Sequence, residues 1–489
     1  MNTQVLTPRP VIMLFRDDFR LADNPALNAA HASGQPVVCA FVHDPDTQRP
    51  GAIGWWLDQA RSALAATLRE QGGTLLEVEG TTPEAVPQLV KIFNAETVFW
   101  NRRYDPTGKA QDTQTKATLE AQGVCVHSLT GRLLHEPWTV QTGSGQPYKV
   151  FTAWWRAVRD MPPPGRCVSA PRTLTFAPWP KAAHALAEHA HTLPPHTLPE
   201  GANAAEQDWP CSEADAHDML QEFIENNVAR YSQERDRPDK DTTSRLSPYL
   251  RAGLISARQV WHAVEDAVQK HGHIAENAWT FLSELGWRDF AYTQLFYHPT
   301  LATENLRPEF NDMPWQNTQK LLHAWQQGQT GYPLVDAGMR QLYQTGWMHN
   351  RVRMVVASFL TKHLLTDWRK GEVWFHNRLV DADPAQNAMN WQWCAGTGID
   401  ASPWFRIFNP VGQSEKFDPT GAYIRTWVPE LRHLPDKLIH TPWKADPALC
   451  RQIGLHLGKT YPHPIVDLKE ARAVALAHYK NLPARQKED

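Results

Sequence analysis

The first 130 residues alternate between wholly apolar runs and amphipathic stretches, and few folds accept that pattern. Val11–Phe15 is apolar at every position, and a second such run, residues 36–42, follows a helical stretch opened by Asn24 and Pro25. Residues 55–70 carry helical periodicity and stop at Gly72 and Gly73. Residues 74–78 read as strand, 83–93 as helix, and 97–100 and 124–128 as strands again. A strand with no polar side must be covered on both faces. The runs therefore predict a parallel, doubly wound sheet with helices on either side. Such sheets bind ligands at the carboxyl ends of their strands. No G-x-G-x-x-G follows the first run, which argues against a dinucleotide in the usual Rossmann position.

At 489 residues the chain exceeds what one core can serve, so more than one domain is expected. Residues 162–210 are rich in Pro, Ala and His and read as a linker wrapping over the surface. Beyond Ser212 strand signals fade, and helical patterning covers residues 213–227, 257–271, 276–296, 334–345 and 350–365. The expected architecture is α/β plus all-α. It places a doubly wound parallel-sheet domain over residues 1–135, a long linker over 136–211 and a helical domain over 212–489.

Net charge is −3, so any nucleic-acid surface must be a local patch. The six cysteines show no C-x-x-C spacing, which predicts reduced thiols with neither disulfide framework nor zinc site. The N-terminus lacks a basic and apolar leader pattern and no stretch approaches a membrane span, so a cytoplasmic protein without membrane contact is expected. Against 11 Tyr stand 21 Trp. A helical core accounts for about half of them, and the rest are candidates for stacking on flat rings.

The chemistry concentrates between Trp347 and Trp393. Asn350, Arg351, Arg353 and Met354 open an otherwise apolar helix, so Arg353 should be buried, with Asp381 or Asp383 as its partner. A structural ion pair between helices is the alternative. Asn387 offers one acceptor and two donors, which could tune a flat redox cofactor. Thr243, Ser244, Arg245, Leu246 and Ser247 precede a helical run, a place for phosphate as well as for an ordinary cap. Glu284, Trp287 and Arg288 stand at i, i+3 and i+4, on one helix face, where they could serve a ligand or form a surface ion pair beside a core Trp.

These segments, with the run from Gly331 to Arg340 and that from Phe405 to Pro410, closely resemble the DNA photolyase and cryptochrome family, especially its bacterial cyclobutane pyrimidine dimer photolyases. The resemblance implies an antenna domain, then a helical domain holding non-covalent FAD, active as FADH⁻. It implies repair of a flipped-out dimer by light-driven electron transfer. By motif, Tyr231, Thr243, Ser244, Arg245, Leu246 and Ser247 would hold phosphates and ribose. Arg353, Asp381, Ala382 and Asp383 would flank the isoalloxazine, with Asn387 facing N5. Trp391, Trp368 and Trp315 would relay electrons to the surface. Arg235, Arg288, Asn350, Arg351, Arg406 and Gln413 would meet DNA, while Glu284, Trp287, Met354 and Trp393 would line the dimer cavity. Glu284, Asn387 and Met354 would carry the chemistry, and no metal is expected.

Relatives that repair the (6-4) lesion use histidines where this chain has Asn350 and Met354, and Met cannot shuttle a proton. Signalling cryptochromes of the plant type carry an acidic residue at Asn387 and many carry long tails, whereas here only about ten residues follow the last helical pattern. The antenna pigment is expected to be methenyltetrahydrofolate, because Asp105 stands near the acidic residue of folate-binding relatives. An 8-hydroxy-deazaflavin is second. The expected partner is ultraviolet-damaged DNA, double- or single-stranded, bound by a monomer associated with the nucleoid.

Overall fold

The structure, a computed structural model, describes residues 8–47 and 50–482. Residues 1–7 and 483–489, on which the expectations about leader and tail bear, lie outside the described residues. Strands β1 (Val11–Phe15), β2 (Val37–His43), β3 (Leu76–Glu79), β4 (Thr97–Asn101) and β5 (Cys125–Leu129) form one parallel sheet in the order β3-β2-β1-β4-β5. The lack of a polar side on β1 has a direct cause. Val11, Met13 and Phe15 face a core that continues into the helical half, while Ile12 and Leu14 face a second core on the other side.

Each expected strand is present. The helix Pro106–Ala121 is an addition: its buried positions are Gly108, Gln111, Thr115 and Leu119, too polar a set to register as an apolar stripe. Residues 136–211 include the helices Phe151–Arg159 and Lys181–Ala190. Between these helices, the N–H of Val37 donates to Thr175 at 2.7 Å and that of Ala177 to Val37 at 3.1 Å, extending the sheet beside β2. The second helix packs on β3 and covers the sheet edge.

The second half is helical as expected, with Ala275–Tyr297, Asn350–Ser358, Trp368–Arg378 and Pro384–Ala395 around its centre. The stretch expected as one helix over 350–365 widens into a π-turn at Phe359–His363. Sheet and helices meet closely. The Phe19 N–H donates to the Ala252 carbonyl at 3.2 Å, and Arg20 donates to that of Gly253 at 3.0 Å. Gly253 has φ +69°, and a Cβ there would lie 2.3 Å from the Asp17 carbonyl oxygen, so glycine is required on both counts. Among the described residues no helix is long and apolar enough to cross a membrane.

Candidate functional site

The Thr243 to Ser247 segment does not work as an ordinary cap. Arg245 has φ +51°, and the helix that follows, Ser247–Ala252, receives no side-chain cap. The Ser247 hydroxyl instead donates to Asp381 Oδ2 at 2.6 Å and ties this loop to the acidic segment. The Arg245 guanidinium lies 4.4 Å from the ring centre of Trp209 and 5.5 Å from that of Trp347. A hollow of about 420 Å³ opens here, lined among others by Thr243, Arg245, Trp347, His349 and Tyr423. Arg245 Nε and His349 Nε2 are buried without a hydrogen-bond partner. Burial lowers His349 to about 4, so its ring is neutral at pH 7. Buried donors left unpaired are costly unless a ligand completes them. A hydroxyl, a guanidinium and these ring atoms fit the phosphate and ribose groups of a flavin dinucleotide.

Arg353 pairs with Asp381 through two bonds of 3.1 and 2.8 Å and donates to the Met348 carbonyl at 2.7 Å. The expected partner is thus present, but the arginine side chain is 24% exposed and not buried. It sits in the first turn of its helix, where Asn350 is exposed and Arg351 and Met354 are half-buried, while Val352 and Val355 point into the core.

Asp383 is held by protein donors on both oxygens. Its Oδ1 receives the N–H groups of Ala385 and Gln386, both at 3.0 Å, and so caps the Pro384–Ala395 helix. Its Oδ2 accepts from the Tyr292 hydroxyl at 2.6 Å and from Arg132 at 3.3 Å. Burial alone would raise this carboxyl. Arg132, Arg251 and Arg288 outweigh it and hold the group below the usual carboxylate range. One turn on, Asn387 donates from Nδ2 to Glu372 Oε1 at 2.8 Å and to the Glu372 carbonyl at 3.0 Å. That engages the amide nitrogen and leaves Oδ1 as the remaining acceptor. Burial raises Glu372 to about 7, with the Asn387 bond opposing. Glu372 was not foreseen, since a single acid in a mixed helix carries no pattern.

Glu284, Trp287 and Arg288 share a helix but not a destination. Glu284 pairs with Arg235 at 2.6 Å, and burial raises its carboxyl above the usual range although Arg235 opposes. Trp287 stacks on Phe151 at 3.7 Å and 14° between ring planes. The Phe151 N–H donates to Asp400 at 2.8 Å, and Asp400 and Trp393 line a common cleft. Arg288, only 9% exposed, turns away and donates to the Arg132 carbonyl at 2.8 Å. Adjacent helix positions differ by about 100°, so Trp287 and Arg288 diverge. The structure therefore speaks against a DNA contact by Arg288.

Tyr231 is buried beneath the Arg235 guanidinium at 5.4 Å. Arg351 pairs with Asp236 at 2.5 Å. Arg406 is exposed and Gln413 half-buried. Phe405, 62% exposed, stands beside Arg406 in a loop. The Ser402 N–H donates to the Trp393 carbonyl at 3.1 Å and anchors this loop to the cavity wall. Leu246 is buried, Ser244 is half-buried, and the Ala382 carbonyl accepts from Arg251 at 2.8 Å.

Of the three candidate relay tryptophans, Trp391 and Trp368 are buried and Trp315 is half-buried. Trp391 nests against Gly371, where a Cβ would lie 2.1 Å from its ring. Trp368 donates to Asn305 at 2.8 Å, and Trp315 lies 6.0 Å from the Trp404 ring. No two of the three indoles stack on each other. In the sheet half, the crevice between the ends of β1 and β4 is filled by a polar network in which Arg16 and Arg103 pair with Asp112, and Asn101 donates to Asp18 at 2.6 Å. Asp105 caps the next helix by accepting from the Gly108 N–H at 2.9 Å. No cluster able to hold a metal ion occurs among the described residues.

Comparison with known proteins points to one family. Residues 11–171 match the family model of DNA photolyase, and residues 281–481 match that of the FAD binding domain of DNA photolyase. A deoxyribodipyrimidine photo-lyase of Agrobacterium fabrum is 48% identical over 97% of this chain and 98% of its own. The crystal structure of a bacterial class III photolyase from Agrobacterium tumefaciens superposes with a TM-score of 0.92 at 46% identity, covering 98% of each chain. Cryptochrome-1 of Arabidopsis thaliana is 37% identical over 94% of this chain and 69% of its own. Similarity of this extent, on a fold that pairs a parallel sheet with a helical FAD-binding half, places the chain in the DNA photolyase and cryptochrome family.

Proposed function

We propose that this protein is a light-dependent lyase that reverses cyclobutane pyrimidine dimers in DNA. The observation that carries the reading is Glu284, a carboxyl raised by burial on a half-open wall shared with Arg235. Repair needs a proton-bearing group beside the dimer carbonyl, and signalling does not. When bound, reduced FAD supplies the photoexcited electron that opens the cyclobutane ring and takes it back. Thr243, Ser244, Arg245 and Ser247 hold its phosphate end. Arg353, paired with Asp381, would lie beside its ring, and Asn387, whose Nδ2 is held by Glu372, would offer Oδ1 as an acceptor to it.

The dimer leaves the helix because a damaged pair stacks poorly and costs less to extrude. Trp287 and Trp393 pack on it, and Met354 fills the remaining wall without a titratable proton, as dimer splitting permits. Glu284, once Arg235 has turned to a phosphate, would hydrogen-bond the dimer carbonyl. Arg235 and Arg351 exchange their carboxylate partners for phosphates, and Asn350, Arg406 and Gln413 extend that surface. Trp391, Trp368 and Trp315 would carry electrons from an external thiol at the surface toward the cofactor. Blue light should restore intact thymines in a dimer-containing oligonucleotide with reduced holoprotein, and darkness should not. Light-independent or absent repair by flavin-loaded protein would overturn the reading and favour signalling.

We take the antenna pigment to be methenyltetrahydrofolate, with an 8-hydroxy-deazaflavin second. The filled crevice at β1 and β4 favours a seat elsewhere. The absorption spectrum of purified protein separates the two pigments. The division at residues 135 and 211 is supported by β5 ending at Leu129 and by the helix Glu213–Asn226. We assign the protein to the cytoplasm as a monomer on the nucleoid, acting on double- or single-stranded DNA.

A further inference from the structure

One arginine of the sheet half reaches the acidic segment of the flavin site. Arg132 follows β5 and its side chain is 11% exposed. Its Nη1 donates at 3.2 Å to Asp17, just beyond β1, and its Nη2 donates at 3.3 Å to Asp383 in the helical half. Arg251 approaches the same Asp17 oxygen at 2.7 Å while donating from Nε to the Ala382 carbonyl at 2.8 Å. The Arg132 guanidinium lies over the Tyr292 ring at 5.3 Å, and the Tyr292 hydroxyl donates to Asp383. Two arginines thus hold residues 382–383 against an aspartate of the sheet half.

The grip reaches further along the chain. The carboxylate of Asp383 caps the Pro384–Ala395 helix, and its carbonyl accepts the Asn387 N–H at 2.9 Å. A displacement of Asp383 therefore moves the first turn that carries Asn387. Burying charges costs several kcal/mol per ion and is repaid only by good geometry and further hydrogen bonds. An apolar junction would join two domains at less cost, so the ion network is better explained by the position it enforces.

We propose that Arg132 is a positioning residue through which the sheet half sets how Asn387 meets the flavin. The sheet half then acts on the cofactor through the Asp383 cap, independently of any pigment it carries. The proposal rests on Asn387 facing the flavin, as read above.

FAD binding can be followed in the dark without DNA, so the test stands apart from repair. Arg132→Met holoprotein is compared with the parent and with Arg61→Met. Arg61 is a suitable control because its side chain is 13% exposed and it pairs at 2.6 Å with Asp58 and at 2.9 Å with Glu77, both in the sheet half. Both variants should melt at lower temperature. Only Arg132→Met should release FAD faster, by about tenfold, the equivalent of one charge-assisted hydrogen bond. It alone should also alter the fine structure of the oxidised-flavin absorption band. Arg132→Lys keeps the charge but reaches one carboxylate at a time, so it should fall between. It also serves if the methionine variant does not fold. If the Arg132 variants release FAD at the rate of Arg61→Met with an unchanged spectrum, Arg132 is a packing residue and the proposal fails. If repair is absent but these differences appear, the functional reading fails and this one stands.

Discussion

Replacing Glu372 by Gln should make the protein more stable at pH 8 and leave it nearly unchanged at pH 5. The carboxyl ordinarily titrates near 4.5 and is raised by burial to about 7. Below 4.5 both folded and unfolded chains hold the proton, so the group adds no pH dependence. Between 4.5 and 7 the unfolded chain loses its proton first, and stability falls as pH rises. Above 7 the full penalty is in place, ~3 kcal/mol at 1.36 kcal/mol for each pH unit. Glutamine cannot ionise, and its Oε1 can still accept from Asn387 Nδ2. For a chain of this length ~3 kcal/mol corresponds to a melting shift of about 3 °C. The measurement is the difference in melting temperature between variant and parent holoprotein at matched scan rate from pH 5 to 8.5. Other buried groups, such as His349, titrate in both proteins and cancel in that difference. A difference constant across the range, or a variant less stable at pH 8, would refute the argument.

Trp287→Ala removes base stacking of about 1–3 kcal/mol, so affinity for a dimer-containing oligonucleotide should fall at least several-fold by fluorescence anisotropy. An unchanged affinity would leave Trp287 as a packing partner of Phe151. Glu284→Ala should bind the lesion nearly normally and repair it with lower quantum yield; loss of FAD instead would mark Glu284 as structural. Trp391→Phe should block light-driven loss of the oxidised-flavin band in the presence of an external thiol, while chemically pre-reduced enzyme repairs almost as the parent does. Photoreduction at the parent rate would make Trp391 a core aromatic.

What the sequence makes legible is whatever repeats along one element. Apolar runs located β1, β2 and β4, because a two-sided core demands side chains of one kind at nearly every position, whereas β3 and β5 at the sheet edges are mixed in character. The Pro106–Ala121 helix lacks such a demand, since its buried face is polar, and it escaped notice. Motif spacing brought Arg353 together with Asp381 because each side of that pair has few alternatives in an apolar setting. Spacing failed at Glu284 and Arg288. Position i to i+4 allows an ion pair within the helix, but it cannot weigh that pair against Arg235 or the Arg132 carbonyl, which come from distant segments.

The same limit explains Asp383. A carboxylate near a flavin motif is read as a flavin ligand, because the sequence does not display that Arg132, more than two hundred residues earlier, arrives to compete for it. Both oxygens of Asp383 accept from protein donors, and in the role proposed for Arg132 its influence on the cofactor passes through the helix it caps. Asn387 is then held from two directions, by the cap that sets its backbone and by Glu372, which fixes its amide. One of these holds is neutral below about pH 7, and the other is ionic and crosses to the sheet. Changing Glu372 should therefore alter how stability depends on pH, whereas changing Arg132 should alter how firmly the flavin is kept.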